Sequence, residues 1–245
     1  MTTPSQLIFG TRAILETIQA GQSIDKVFID KAAKTPLHKT LLALLKAQQI
    51  PYSQVPTVKL QKLTRQNHQG AVALLAPIDF APLSQVVQTS YELGKTPLIL
   101  LLDGITDVKN FGAIVRTAAC TSVDAVVIPT QGSASVGGDA MKTSAGALAH
   151  VPICRVASLR EAIAYLQASG LHILACHENA PQSLYATDLN LPLALILGAE
   201  DQGIAPAHLR LADAQVKIPM TGPIASLNVS VAAAGVLYEA VRQRL

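Results

Sequence analysis

The sequence predicts an α/β protein in two parts: a small α/β module, then a larger domain whose mostly parallel sheet is covered on both faces. Three observations carry this. Continuous apolar runs at 98–102, 125–128, 173–175 and 193–197 alternate with helical patterns, as strands buried on both faces do. Pro77, Pro82, Gly94 and Pro97 punctuate the stretch 77–96, which reads as a linker with one short helix over 83–91. The charge balance also reverses there. Residues 1–76 carry nine Lys and Arg against three acids, a balance of +6, while 77–245 carry ten against thirteen, a balance of −3.

In the first part Thr11 is a candidate N-cap for a helix over 12–20, with Ala13, Ile14 and Ile18 on one face and Gly21 as its stop. Residues 26–30 (KVFID) read as a strand. Pro36 opens a second helix with Leu37, Leu41, Leu44 and Leu45 at helical spacing. Short strands follow at 50–55 and 71–76. In the second part the four apolar runs are the strands, with helices over 158–169 and 205–211. The last helix carries Val229, Ala232, Ala233, Val236, Leu237, Ala240 and Val241 as a buried stripe, with Ser226 as a candidate cap. Its Ala-rich first half lets another backbone come close, from within the chain or from a second copy.

Composition narrows the function classes. A chain of 245 residues, 50% hydrophobic and 14% charged, buries a real core and does not belong among disordered proteins. Its apolar runs are far shorter than the roughly 18 residues a membrane helix needs. The opening MTTPSQLIFGTR has neither a basic n-region nor a long apolar core, so a soluble cytoplasmic protein is expected. Cys120, Cys154 and Cys176 are odd in number and widely spaced, which argues against a disulfide framework or a zinc site. G-x-G-x-x-G, Walker, HExxH and GxSxG motifs are absent, and the six His are scattered. The basic first part either meets a polyanion or is simply a solvated surface; charge alone leaves both open.

Three loops that follow strands have unusual polar content. The first, DGITDVKNFGAIVR over 103–116, places Asn110 near a helix start and Arg116 six residues on, about 240° round a regular helix. The two would share a site only if Asn110 lay outside the regular helix, and each is as readily a cap or a surface residue. The second, GAEDQGI over 198–204, is a tight glycine turn with Glu200 and Asp201, suited to present backbone amides to a ligand or to cap the next helix. The third, IPMTGPIASLNVS over 218–230, ends a strand in a Pro/Gly-rich loop. There Asn228 is an amide in need of partners at the start of an apolar helix.

Together these loops resemble the three signature motifs of the SpoU (TrmH-type) RNA ribose 2′-O-methyltransferases of the SPOUT superfamily. The matching segments are TDVKNFGAIVRTA, ILGAEDQGI and IPMTGPIASLNVSVAAAGVLYEA, in family order, and the likeness extends over KTSAGALAHVPI to cover 97–245. The segment from LIFGTRAILETI to HQGAVALLA resembles the ribosomal-protein-like substrate-binding domain of the branch that methylates a guanosine in 23S large-subunit rRNA. The resemblance implies S-adenosylmethionine as methyl donor, a trefoil knot near the C-terminus, and a homodimer through the catalytic domain. It implies structured RNA, free or in a pre-ribosomal particle, as partner. It divides the chain into an RNA substrate-binding domain at 1–76, a linker at 77–96 and a catalytic domain at 97–245.

By motif position the resemblance assigns a catalytic group of Asn110, Arg116, Glu200, Ser226 and Asn228. It assigns cofactor contacts to Gly198, Ile218 and Leu227, with no metal. Val108 and Lys109 stand where the family commonly has Pro and His, and Ala149 where an acid is usual. Those departures bear on substrate fit. A tRNA or an antibiotic-resistance rRNA site is the alternative substrate. A non-catalytic assembly factor keeping this fold, and a small-molecule nucleotide enzyme, are the readings the intact motifs and the basic first domain oppose.

Overall fold

The computed structural model describes residues 7–224 and 226–245. The first six residues of the expected 1–76 domain, and Ala225 of the third motif, lie outside them. The chain divides into two compact units. One runs up to Asp79 and takes in Ser135–Asp139; the other holds Phe80–Ala134 and Ala140–Leu245. The distant segment joins the first unit for a physical reason. Asp25 is only 3% exposed, and its carboxylate accepts from the Val136 N–H at 2.9 Å and from the Ser135 hydroxyl.

The first unit comprises β1 (Leu7–Phe9), α1 (Thr11–Gln19), β2 (Ile24–Asp30), α2 (Pro36–Ala47), β3 (Tyr52–Val55), α3 (Thr57–Leu63) and β4 (Ala71–Leu75). Its sheet runs β1-β4-β2-β3, antiparallel except for β2 beside β3. Ile14, Ile18, Val27, Ile29, Leu41 and Leu45 fill one core between sheet and helices. Thr35 caps α2 and Pro36 sits in its first turn, as Pro favours. Thr11 does not cap α1: the cap position is Gly10, at φ 93, and the Thr11 hydroxyl is spent on His38 and Gln69. β1 and α3 went unanticipated, since three residues of strand and seven of helix carry too little periodicity to read.

The second unit holds α4 (Leu83–Glu92), β5 (Leu98–Asp103), α5 (Val108–Cys120), β6 (Ala125–Pro129), most of α6 (Gly138–Thr143), β7 (Ile153–Val156) and α7 (Leu159–Ala168). It continues with β8 (His172–Cys176), β9 (Gln182–Ser183), β10 (Leu193–Gly198), α8 (Pro206–Leu209), β11 (Ala214–Lys217) and α9 (Val229–Arg244). The sheet order is β7-β6-β5-β10-β8-β11-β9, parallel throughout. Leu98–Asp103 is buried at every residue, which is why it reads as a continuous apolar run. Each Leu and Ile of 98–102 contributes about 1.5–3 kcal/mol relative to exposure. The stretch expected to be a linker is not free chain: Val87 and Ser90 of α4 are buried, and Val87 joins the core of this unit. Pro and Gly mark its ends, and an amphipathic face holds it down.

The last turn of α9 is tied by charge. Glu239, 7% exposed, accepts from Arg242 Nε at 2.8 Å, Arg242 Nη2 at 2.7 Å and Gln243 Nε2 at 2.8 Å. Gln243 and Arg244 then bond the main chain at Thr187, Leu189 and Leu191. The Arg242 hydrogen bonds, then that of Gln243, hold the Glu239 carboxyl at about 2 against an ordinary 4.5. A folded-state value below the unfolded one stabilises fully above about 4.5 and is lost as pH falls toward about 2. The melting temperature is therefore expected to fall across that window, and Glu239→Gln to flatten the fall. An unchanged profile in the variant would refute this link.

Candidate active site

In the second sheet the chain leaves β5 for β6 on one side, and leaves β10 for β11, beyond β8, on the other. The β5–β10 junction is thus the point where strand order reverses, and ligands of open α/β sheets sit beyond the carboxyl ends there. The two strands are in step, Leu98 beside Leu193 through Asp103 beside Gly198, so both end at one level.

A tight loop follows β10. Ala199 and Gly203 exchange main-chain hydrogen bonds of 3.2 and 2.8 Å, and Gly203 takes φ 65. Gly198 lies so close beneath this loop that a Cβ there would overlap Gly203 C and Ile204 N. Asp103, at the end of β5, holds the far side of the loop. Its Oδ2 accepts from the Ala205 N–H at 2.8 Å and lies 2.7 Å from His208 Nδ1.

Beside the loop is an open cleft, lined by Cys176, His177, Glu178, Leu197, Gly198, Ala199, Glu200, Gly203, Ile204, Ile218, Met220, Ser226, Leu227, Val229 and Ala232. Gly198, Ile218 and Leu227, the expected cofactor contacts, are all on its wall. Cys176, His177 and Glu178 were not anticipated. Cys176 ends β8 and His177 and Glu178 follow it; its carboxyl end opens on the same side as that of β10, so the strand-end rule applied to every apolar run would have found them. His177 is held by its Nε2 at 3.1 Å from Gln215 Oε1 and by the Asn179 N–H on Nδ1. Burial pushes the Cys176 thiol up to about 12, which favours its protonated form at neutral pH.

At the mouth of the cleft three expected catalytic residues, far apart in sequence, meet. Asn228 Nδ2 donates to Asn110 Oδ1 at 3.0 Å and to Glu200 Oε1. Glu200 Oε1 also accepts from the Val229 N–H at 3.3 Å. Asn228 is the N-cap of α9, its Oδ1 accepting from the Ser230 N–H at 3.0 Å. This corrects two expectations: Ser226 is not the cap, and Asn228 is exposed just outside the helix instead of buried in its first turn. Asn110 lies inside α5, which Asp107 caps by accepting the Asn110 N–H at 2.8 Å.

Arg116 is exposed further along α5, about 240° round from Asn110, and outside the network of Asn110, Glu200 and Asn228. Among the described residues no hydrogen bond or ion pair occupies its guanidinium. Ser226 lines the cleft without joining the network. No group of three or more His, Cys, Asp or Glu suited to a metal ion occurs among the described residues, and no described helix is long and apolar enough to cross a membrane.

Comparison with known proteins bears on both units. Residues 97–238 match the SpoU rRNA Methylase family, and residues 7–81 match the RNA 2′-O ribose methyltransferase substrate-binding family. A protein of Staphylococcus aureus (strain MSSA476), assigned to the TrmH family of tRNA/rRNA methyltransferases, is 35% identical over 238 residues, covering 97% of this chain and 96% of its own. Among solved structures, the SpoU methyltransferase AviRb from Streptomyces viridochromogenes, in complex with the cofactor AdoMet, shares the fold. Its TM-score is 0.62 at 24% identity, over 97% of this chain and 90% of that one. The A. aeolicus TrmH/SpoU tRNA modifying enzyme aligns with a TM-score of 0.55 at 28% identity, over 66% of this chain and 83% of its own.

Proposed function

The chain belongs to the SpoU rRNA methylase family, and from that premise we propose that it transfers the methyl group of S-adenosylmethionine to a ribose 2′-hydroxyl of structured RNA, with a guanosine of 23S rRNA as first choice. The observation that carries this reading is the Asn110–Asn228–Glu200 network set beside the cleft at the ends of β5 and β10. The cleft suits the donor. Leu197, Ile204, Ile218 and Leu227 offer apolar surface for an adenine ring, and Gly198 lets the 199–203 main chain form the wall.

S-adenosylmethionine, when bound, supplies a methyl carbon made electrophilic by a sulfonium. Transfer to the 2′-oxygen would leave the donor as a neutral thioether, with the hydroxyl proton passing to water. A cation and a developing anion neutralise each other, so an apolar surround favours the reaction and orientation contributes much of the rest. Asn228, fixed as a cap, holds Asn110 and Glu200 in position to orient the ribose. A guanidinium stays protonated at neutral pH and cannot serve as a base, so Arg116 acts by binding the adjoining phosphate and stabilising the developing oxyanion.

Within one chain Arg116 stands outside the network, and this reading therefore requires a homodimer through the second unit. Val231 and Tyr238, 53% and 55% exposed, supply apolar surface for it. A dimer is the arrangement in which the guanidinium of one protomer can lie over the network of the other. The knot implied by the family motifs near the C-terminus belongs to the same reading.

Residues 7–81, with their surplus of Lys and Arg, hold the RNA through its phosphates. If about four phosphates are neutralised, affinity is expected to fall about a hundredfold between roughly 50 and 200 mM salt. Salt-insensitive binding would refute that role. Substrate choice is tested by offering labelled methyl donor with 23S rRNA, tRNA and domain-sized rRNA transcripts, then mapping the modified nucleotide. Label on large-subunit RNA at a guanosine supports the first choice; label on tRNA alone replaces it with the alternative.

A further inference from the structure

The first unit carries a hollow that the transfer reaction does not use, lined chiefly by Phe9, Arg12, Glu16, Leu37, Asn67 and Gln69. Three features set it apart from ordinary surface. The Phe9 ring is 38% exposed in a chain with only four Phe and no Trp. Asn67 and Gln69 are exposed, and among the described residues no side chain or backbone group takes up their amides. Arg12 and Glu16 stand four apart on α1, the spacing of a helical ion pair, yet make none with each other. The hollow thus combines one aromatic face, two free amides, one carboxylate and one guanidinium.

The rim is held rigidly. Gln69 sits at φ 47, a left-handed backbone that a residue with a side chain seldom adopts. Its carbonyl accepts from the Thr11 hydroxyl at 3.2 Å, and that hydroxyl lies 3.2 Å from Nε2 of the buried His38. His38 Nδ1 is in turn 2.7 Å from the Thr35 hydroxyl. A buried polar relay therefore fixes the Gln69 backbone and with it the amide at the rim. Gln69 and Gly70, at φ 47 and 82, form the centre of a tight turn closed by the Ala71 N–H on the His68 carbonyl at 2.9 Å.

We propose that this hollow binds a single unstacked nucleobase of the RNA substrate: Phe9 stacks on its face, Asn67, Gln69 and Glu16 read its edge, and Arg12 takes an adjoining phosphate. Such recognition suits structured RNA, whose sequence is read where bases are splayed from loops and bulges. Guanine fits best, because its Watson–Crick edge sets two N–H donors side by side for the Glu16 carboxylate. The proposal deepens the RNA-binding reading of residues 7–81 and rests on it.

The test uses the full chain and nine-residue deoxyribose-phosphate strands, abasic throughout or bearing one central guanine or adenine. The guanine strand is expected to bind about tenfold more tightly than the fully abasic one. Phe9→Ala removes that gain while leaving affinity for the abasic strand unchanged, and Phe9→Trp restores it. Arg12→Ala weakens both strands alike, and Asn67→Ala lowers only the gain from the base. Equal binding of guanine and abasic strands, or a gain that survives Phe9→Ala, overturns the proposal. Adenine binding as tightly as guanine overturns the role of Glu16. Neither cofactor nor transfer enters this readout, so failure of the transfer reaction would leave its result standing, and the reverse.

Discussion

Arg116→Ala is expected to lower methyl transfer at least about a hundredfold while leaving affinity for S-adenosylmethionine close to that of the wild type. The magnitude is that of removing one group that stabilises a developing oxyanion. The split between binding and rate follows from the position of Arg116. It is exposed on α5, lies off the wall of the cleft and has no partner among the described residues, so its removal disturbs neither packing nor the donor pocket. Equilibrium titration of the donor and single-turnover transfer measure the two quantities separately. Full transfer by the variant would remove Arg116 from the reaction.

The homodimer reading adds a sharper expectation. Arg116→Ala and Asn228→Ala proteins are each inactive alone, but co-expressed they form mixed dimers in which one site has both an intact network and an intact guanidinium. Activity should then reappear. If Arg116 served the network of its own chain, both sites of every mixed dimer would be defective and nothing would be regained.

Gly198→Ala is expected to abolish donor binding and to destabilise the second unit by about 1–3 kcal/mol or more. The added methyl would overlap Gly203 C and Ile204 N, which are main-chain atoms with no rotamer to relieve the clash. The 199–203 loop would have to move, carrying Glu200 away from Asn228 and opening the cleft wall. Gly222→Ala is the control in the neighbouring loop: its Cβ would meet nothing within 4 Å, so binding and stability should be unchanged. Wild-type donor affinity in Gly198→Ala would contradict the assignment of this cleft.

How much of this could be read beforehand depended on what each residue's signal records. Strands buried on both faces, such as Leu98–Asp103 and Leu193–Gly198, announce themselves as unbroken apolar runs. Ala214–Lys217 is a strand of the same sheet with only Val216 fully buried, and its run of AQVK carries no such mark. Helix starts were legible at Pro36 and at Ser158, whereas the residues that cap them, Thr35 and Ser158, emerge as caps only in the structure. At Thr11 and Ser226 the cap position fell one or two residues away, because tertiary partners or a better amide were available.

The candidate site divides in the same way. Asn110, Glu200 and Asn228 each stood out as polar residues after a strand. That all three meet depends on β5 and β10 being adjacent and in step, which no local pattern records. His177 and Glu178 follow a shorter run and were passed over, although the same geometry serves them. The separation of Arg116 from the network was visible in the six-residue spacing, since both residues proved to lie within regular helix. The hollow at Phe9 had no precursor in the sequence, because its rim is built by a three-residue strand and a glutamine in a left-handed conformation.

Alkaline digestion of the labelled product distinguishes a ribose 2′-oxygen from a base as the methyl acceptor. Alkali cleaves RNA through attack by the 2′-hydroxyl, so a methyl group on that oxygen protects the following phosphodiester. All label is expected in an alkali-resistant dinucleotide. Label recovered in mononucleotides would place the methyl group on a base and contradict transfer to the 2′-oxygen.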